Sequence, residues 1–527
     1  MEMFIACSLF LLALSRESSA ENRYRNPVND QLADWAREHK GNVTIIRTSY
    51  GTHVDDVENT LTAGHRGPIV MHDSVFMDIV GSFDRERIPS RTVYASGTGA
   101  FGKFTVTHDI TRYTKAKLFD KVGKTTNVAV RFSRQMNDRG TAETTRDNFG
   151  MSVKFYTQDG IYDLLSCSSE VYFVRDAMKY PLLVHAFMRN PVTNIKDPNM
   201  MWDFITLLPE TTFQTLVYFS DRGTPQSYRH TNFHSVSTYK MVNDYGKAVY
   251  VKFHWMTHQG VKNLTAYEAL QLAIQDPDYY TRDLYNAIGN GYYPSWTLCI
   301  QIMTFEEAKK FQFNPFDVTK VWPREQFKYT EVGKLTLFDN PTNQFAQVEQ
   351  LAFSPAHLIP GLEPSPEKIL QGRLFAYGDA QRYRLGVNYL QLPVNCPTNR
   401  PVTNYQRNGL GTFESQGEAP NYYPNSFHGP QSLPSPVFSV YSASGDVNRY
   451  NSSYEDNYSQ GRYFWNYLSE KDKYSLVNNM VESLKDTYHW IQDRAIQMFS
   501  NVHEKLGRRL QEQLGKYEKY ATKCSTC

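Results

Sequence analysis

Short runs of β-branched and aromatic residues recur between residues 94 and 305. NVAVRFS (127–133), MSVKFY (151–156), VYFV (171–174), AVYVKFHW (248–255) and SWTLCIQIM (295–303) alternate in part between apolar and polar positions, and each predicts a strand. Strands spaced through one long region predict a barrel or a sandwich. The pattern turns helical near 201–218 and again near 264–275. Residues 76–83, ahead of Pro89, predict a short helix, and the polar, turn-rich 21–65 predict an extended arm. From 310 to 440 the chain is rich in Pro and Asn with little periodicity; so long an irregular stretch is expected to wrap another surface. Beyond 463 the spacing of Leu476, Val477, Met480, Val481 and Leu484 is helical, and Ser469 with Asp472 resembles a capping box. The C-terminal part is therefore expected to be a small helical unit, and no internal repeat is visible.

Composition sets the limits of this picture. A chain of 527 residues allows one large core with attached parts, or two to four domains. Lys+Arg 56 against Asp+Glu 54 leaves a net charge of +2, which gives no electrostatic case for a nucleic-acid partner. No apolar run of 18 residues follows the N-terminus, so no membrane-spanning helix is expected. The 36 tyrosines and 31 phenylalanines suit a β-rich protein, or one that packs rings around a flat ligand. Residues 4–14 form an apolar core of signal-peptide length, and Ser18 and Ala20 are small residues at the cleavage spacing. A signal peptide over 1–20 and secretion are expected, although Glu2 and no Lys or Arg precedes the core. Sequons at Asn42, Asn263, Asn451 and Asn457 agree with that expectation, and Thr526-Cys527 is neither a peroxisomal nor a retention address. Six cysteines, at 7, 167, 299, 396, 524 and 527, make no dense disulfide framework. Cys524-Ser-Thr-Cys527 is a lone CxxC, which suits a local disulfide better than a metal site.

The densest chemistry lies in RLFAYGDAQRYRLG (373–386), with two tyrosines and three arginines in fourteen residues. Arg373 and Tyr377 are four apart, so on a helix they share a face. A phenol has a pKa of about 10, and a cation within reach lowers it by roughly 1–3 units. A phenolate is a hard anionic ligand for ferric iron. The other reading of the same pattern is a solvated helix with scattered charges.

Several blocks resemble the haem catalases. FDRERIPSRTVYASGTGAFGKFTVTHDIT (83–111), VAVRFS (128–133), SVKFYTQDG (152–160), KDPNMMWDF (196–204), NPFDVTKVWP (314–323), LQGRLFAYGDAQRYRLG (370–386) and NYYPNSFHGP (421–430) stand in that family's order, and the likeness runs from about 45 to 510. The tail is similar to that of small-subunit catalases. The resemblance implies an α+β catalase fold: an N-terminal arm (21–75), an antiparallel eight-stranded β-barrel (76–320), a wrapping segment (321–440) and a C-terminal helical domain (441–527). It implies haem b, a homotetramer and hydrogen peroxide as substrate. By the same matching, Tyr377 is the proximal iron ligand, a tyrosinate being this family's own way of holding haem iron. Arg373 would keep that phenol ionised, and Arg91, Arg131 and Arg384 would hold the haem propionates, since guanidinium forks suit carboxylates. Val93 belongs to the haem-facing stretch, and Ser133 matches the serine that supports the distal base.

The resemblance fails at two distal positions. The family's R-V-V-H-A-K-G stretch is here Arg91-Thr92-Val93-Tyr94-Ala95-Ser96-Gly97, with tyrosine in place of the histidine. The distal asparagine after D-L-V is replaced in Asp163-Leu164-Leu165-Ser166-Cys167 by Cys167. Splitting peroxide requires a proton carried from its near oxygen to its far one. An imidazole with a pKa of about 6.5 can accept and return that proton, whereas a neutral phenol cannot accept it. A thiol is also a weak donor where an amide is a directed one. Tyr172 and Tyr180 stand where the family has phenylalanines. Ser220, Arg222, Asn232, Val321 and Trp322 match the family's NADPH site, but Phe213, Met256 and Arg324 replace His, Lys and His, so weak or absent NADPH binding is expected. Three readings follow: a secreted haem protein with reduced or lost catalatic activity, a working catalase or peroxidase that detoxifies hydrogen peroxide, and a haem-free structural secreted protein.

Overall fold

The protein is described by a computed structural model covering residues 25–398, 401–433 and 438–524. Strands β1 (Gly97–Val106), β2 (Thr125–Arg134), β3 (Phe149–Thr157) and β4 (Gly160–Cys167) form consecutive antiparallel pairs. β5 (Phe233–His234) and β6 (Tyr239–Val242) lie along the same edge of β7 (Ala248–Thr257), so together they fill one strand position. β8 (Ser295–Met303) pairs with β7, and β9 (Thr330–Asp339) pairs with both β8 and β1. The ring is thereby closed with eight strand positions, and the short β10 (Leu362–Pro364) extends it beyond β6. This is the eight-stranded antiparallel barrel expected from the family resemblance.

The barrel is filled by side chains. Phe104 of β1 stands edge-on to Phe119, Phe155 and Trp255, with ring centroids 5.5–6.2 Å apart, geometry that aromatic quadrupoles favour. Gly333 of β9 seats that ring: a Cβ there would come within 2.4 Å of Phe104 Cζ. Truncating such a buried phenylalanine to alanine costs about 3–5 kcal/mol.

Helices cover the barrel's outside and ends. α1 (Pro27–Glu38) and α2 (Ser74–Phe83) precede the barrel. α3 (Lys179–Phe187), α4 (Pro198–Leu207), α5 (Thr212–Phe219), α6 (Ala266–Gln275), α7 (Tyr279–Gly289) and α8 (Phe305–Lys310) interrupt the strands. α9 (Lys368–Leu385) comes after the barrel closes. α10 (Ser459–Tyr467), α11 (Glu470–Leu484), α12 (His489–Val502) and α13 (Glu504–Cys524) make the terminal helical unit. Ser469 caps α11 by accepting from Asp472 N, and Leu476, Val477, Met480, Val481 and Leu484 are buried in a second core with Trp202 and Leu216. No helix among the described residues is long and apolar enough to cross a membrane.

Several expectations need correction. The arm is not all extended, because Asn26 caps α1 and Pro27 starts it. VYFV (171–174) is not a strand: Val171, Tyr172, Phe173 and Val174 are all buried between the barrel and the helices, and Tyr172 N bonds Val318 O rather than a ladder partner. The 201–218 helix is two helices broken at Pro209, which lacks the amide proton needed to continue one. β9 lies in the stretch read as irregular, beyond residue 320, yet it closes the barrel. A register shift opposite Leu298 and Cys299 breaks its alternation. Among the described residues from 386 to 458, regular structure is limited to the turn Tyr389–Gln391; Val394 packs against Ala129 and Leu165, and Ser439 N donates to Glu363 at 2.6 Å. Residues 1–20, the expected signal peptide, lie outside the described residues.

Candidate active site

One cavity of about 380 Å³ opens between the barrel wall and α9. α9 is N-capped by Glu367, whose side chain accepts from Leu370 N, and it ends at Gly386, whose φ of +99° an L side chain rarely adopts. Gly372 lets α9 approach closely, since a Cβ there would come within 2.7 Å of Ala177 Cβ. Arg373, Tyr377 and Arg384 then lie along one face. β2 contributes Arg131 and Ser133, β3 Gly150, β4 Cys167, and the segment before β1 contributes Arg91, Val93 and Tyr94. Tyr172 and Tyr180 complete the wall. Every residue singled out from the sequence for the haem site lines this cavity, whereas those matched to the NADPH site do not.

Three arginines mark one end. Arg91 donates to Glu349 O at 2.9 Å, to Leu351 O at 2.8 Å and to the Glu349 carboxylate at 3.3 Å. Arg384 donates to the same two carbonyls at 2.6 and 3.0 Å. Arg131 is buried; it donates to Ala95 O at 3.3 Å, and its Nε has no partner. Burial, aggravated by Arg91, pushes Arg131 well below the ordinary arginine range. Burial also lowers Arg91, against the pull of Glu349, and lowers Arg384. Two buried cations and a third, mostly covered one beside a single carboxylate are costly without further anions.

Beside Tyr377 the charge is arranged differently. The Arg373 guanidinium lies 5.3 Å from the centre of the Tyr377 ring. Arg373 donates to Ser237 Oγ at 2.9 Å, and Ser237 donates to the Glu367 carboxylate at 3.0 Å. Burial alone would depress Arg373, but the phenols of Tyr377, Tyr172 and Tyr239 outweigh it and raise the guanidinium well above its usual range. Burial pushes Glu367 up to about 7. Neither Ser237 nor Glu367 was singled out from the sequence, because they meet only in the fold, 130 residues apart.

Across the cavity the Tyr94 hydroxyl is 3.2 Å from Cys167 Sγ. Tyr94 has φ +60°, an uncommon conformation for a bulky residue, and its N–H donates to Gln135 O at 3.0 Å. Gly150 makes room for its ring: a Cβ there would stand 2.8 Å from Tyr94 Cε1 and 3.1 Å from Ser133 Oγ. Burial raises Tyr94 well above the usual phenol range, and neighbouring Cys167, Tyr172 and Tyr180 add to it. Burial also raises the Cys167 thiol. Both groups are therefore protonated at neutral pH. Ser133, Gly150, Cys167, His234 and His254 face one another in register across five strands, with His234 Nδ1 2.8 Å from His254 Nδ1.

Residues matched to the dinucleotide site have protein partners. Arg222 donates to Glu170 at 2.7 Å and to Ser168 O at 3.0 Å, and Asn232 accepts from Thr257 N at 2.8 Å. Gln460 bonds both the N–H and the C=O of Val321, Phe213 packs on Phe464, and Arg324 covers Tyr329.

The unpartnered Arg131 Nε and the excess of arginine over carboxylate at one end fit a ligand carrying carboxylates, and Tyr377 beside Arg373 fits an oxygen ligand to a metal. Such a pocket defines a protein with a buried, arginine-rich site for an anionic ligand. The family model described as "Catalase" matches residues 47–429, and "Catalase-related immune-responsive" matches 451–514. A catalase from Sus scrofa is 51% identical over 94% of both chains, and one from Drosophila melanogaster is 49% identical over 93% of this chain and 98% of its own. The solved structure of a fungal catalase superposes with a TM-score of 0.86 at 40% identity, covering 90% of this chain and 97% of that one. Catalase A from Saccharomyces cerevisiae gives 0.84 at 39% identity, covering 89% and 99%. The chain belongs to the catalase family.

Proposed function

We propose that this chain is a haem protein that receives hydrogen peroxide in this cavity and whose conversion of peroxide to water and oxygen is strongly reduced or lost. The observation that carries the reading is the hydrogen bond between Tyr94 and Cys167, two protonated groups, opposite a full set of haem-holding residues. Arg91, Arg131 and Arg384 would hold the propionates, and Tyr377, backed by Arg373, would hold the iron. Bound haem would supply a ferric centre at which peroxide is activated. The chain's own distal residues cannot take up the proton that peroxide must move, because a phenol and a thiol held neutral have none of the basicity of imidazole. Their hydrogen bond also turns both groups towards each other. Replacing Tyr94→His together with Cys167→Asn tests the reading: oxygen release should rise on the order of 10²–10⁴-fold. No rise in a haem-loaded double variant would overturn it. The 49–51% identity to catalases favours a second reading, a fully active catalase.

The reading extends to assembly, location and cofactors. Exposed Trp35, Met77, Phe83 and Phe375 on α1, α2 and α9 support a homotetramer that covers them. Secretion draws support from exposed sequons at Asn42, Asn263 and Asn451. NADPH is expected to bind weakly or not at all, since the groups that would meet it are engaged with the protein.

A further inference from the structure

Tyr94 and Cys167 are placed for more than a hydrogen bond. Cys167 and Gly150 stand directly opposite each other on β4 and β3, where opposed Cβ positions are about 4.5–5.5 Å apart. The Tyr94 ring lies over this pair: its Cε1 edge occupies the space that a Gly150 side chain would take, and its hydroxyl reaches Cys167 Sγ at 3.2 Å. Cε1 is ortho to the hydroxyl, two bonds from the oxygen that Sγ touches. Two constraints hold the ring there: the left-handed backbone at Tyr94 and the Tyr94 N–H bond to Gln135 O. Cys167 is buried, so bulk thiols and solvent reach it poorly. A phenol and a thiol fixed in contact have a defined product when they are oxidised together.

We propose that Tyr94 and Cys167 are joined as a thioether, through a bond between Cys167 Sγ and the Tyr94 ring carbon Cε1. The S–H and Cε1–H bonds are broken and one S–C bond forms. The two electrons and two protons released reduce one hydrogen peroxide to two waters, so the side-chain pair is oxidised by two electrons and the peroxide is reduced by two. This rests on the proposed function, in which peroxide is activated in this cavity. The cross-link makes Cys167 resistant to the further oxidation open to a free thiol, and it fixes the Tyr94 ring across the cavity. It also converts the distal pair from an oxidation liability into a permanent part of the site.

The test is mass spectrometry of the full-length protein purified with its haem, before and after one equivalent of hydrogen peroxide. The sample is denatured, reduced, alkylated and cut with trypsin. The peptide 92–103, carrying Tyr94, and the peptide 155–175, carrying Cys167, should run as one species lighter than their sum by two hydrogens. It should survive reductant, which a disulfide or sulfenic acid does not. Cys299 and Cys396 should remain alkylatable and serve as internal references. Cys167→Ser and Tyr94→Phe should each return the two peptides separately. Recovery of separate wild-type peptides, with Cys167 alkylated or carrying added oxygen, overturns the proposal, as does a link to Tyr172 instead of Tyr94. The Soret band of the same sample keeps the two ideas apart. A band with no cross-link overturns the thioether alone, and no band overturns the haem reading beneath it.

Discussion

Arg373 and Glu367 are joined through one hydroxyl: Ser237 accepts from the guanidinium at 2.9 Å and donates to the carboxylate at 3.0 Å. The same Glu367 caps the helix that presents Tyr377. The orientation of the phenol is therefore tied to a buried acid at the start of its own helix. Replacing Ser237→Ala leaves a buried guanidinium N–H and a carboxylate oxygen each short of a partner. Loss of about 1–3 kcal/mol is expected, read as a lower urea midpoint with an unchanged slope.

Glu367 also gives a pH dependence with a definite sign. Its ordinary value is 4.5 and the folded protein holds it at about 7. Between those values the folded state keeps a proton that the unfolded state has released, so this group's stabilisation is complete below about 4.5 and is lost as pH rises through about 7. Burial, which lowers His234 to about 4, works in the opposite direction between about 4 and 6.5. The two are separated by Glu367→Gln. Relative to wild type, that variant should gain stability as pH rises from 5 to 8, by up to about 3 kcal/mol. A gap that stays constant across this range contradicts the assignment.

Arg131 is expected to matter more for ligand than for fold. Its Nε has no protein partner, and burial beside Arg91 disfavours its charge. Arg131→Met should therefore leave thermal stability of the haem-free protein unchanged or raised. Haem affinity should fall by about 2–5 kcal/mol, or on the order of 30-fold or more, measured by spectroscopic titration.

Gly150 controls where the distal phenol can lie. A Gly150→Ala methyl would sit 2.8 Å from Tyr94 Cε1, so the ring must move away from Cys167. Overpacking of this kind costs about 1–3 kcal/mol. The chemical readout is faster alkylation of Cys167 under native conditions than in wild type.

Glycosylation should discriminate among the four sequons in a secreting host. Asn42, Asn263 and Asn451 are exposed, whereas the Asn457 side chain accepts from Arg175 and is held against the protein. Peptide mapping should find glycan at the first three and none at Asn457.

How much of this was legible in the chain varied with distance along it. Arg373 and Tyr377 could be read as partners because they are one helical turn apart in a single block. The terminal helices were legible because an amphipathic stripe and a serine cap are local signals. β9 was not, since a bulge offsets Val332 from Leu335 and Leu337 and hides the alternation. VYFV misled because its four residues are buried on all sides, and burial without alternation does not distinguish a strand from a packed loop. Arg91, Arg131 and Arg384 come from three separate segments, so only the family resemblance brought them together beforehand. The Tyr94–Cys167 contact spans 73 residues and the Ser237–Glu367 contact 130, distances at which spacing carries no information.

The central claim is that the haem-holding half of the cavity is complete while its proton-carrying half is not. Oxygen release from hydrogen peroxide, divided by bound haem, tests it most directly. The expected result is full haem occupancy with release on the order of 10²–10⁴-fold below that of an ordinary catalase. A haem-loaded protein that releases oxygen as fast as one would contradict the account, and would mean that the proton travels by a route that does not need Tyr94.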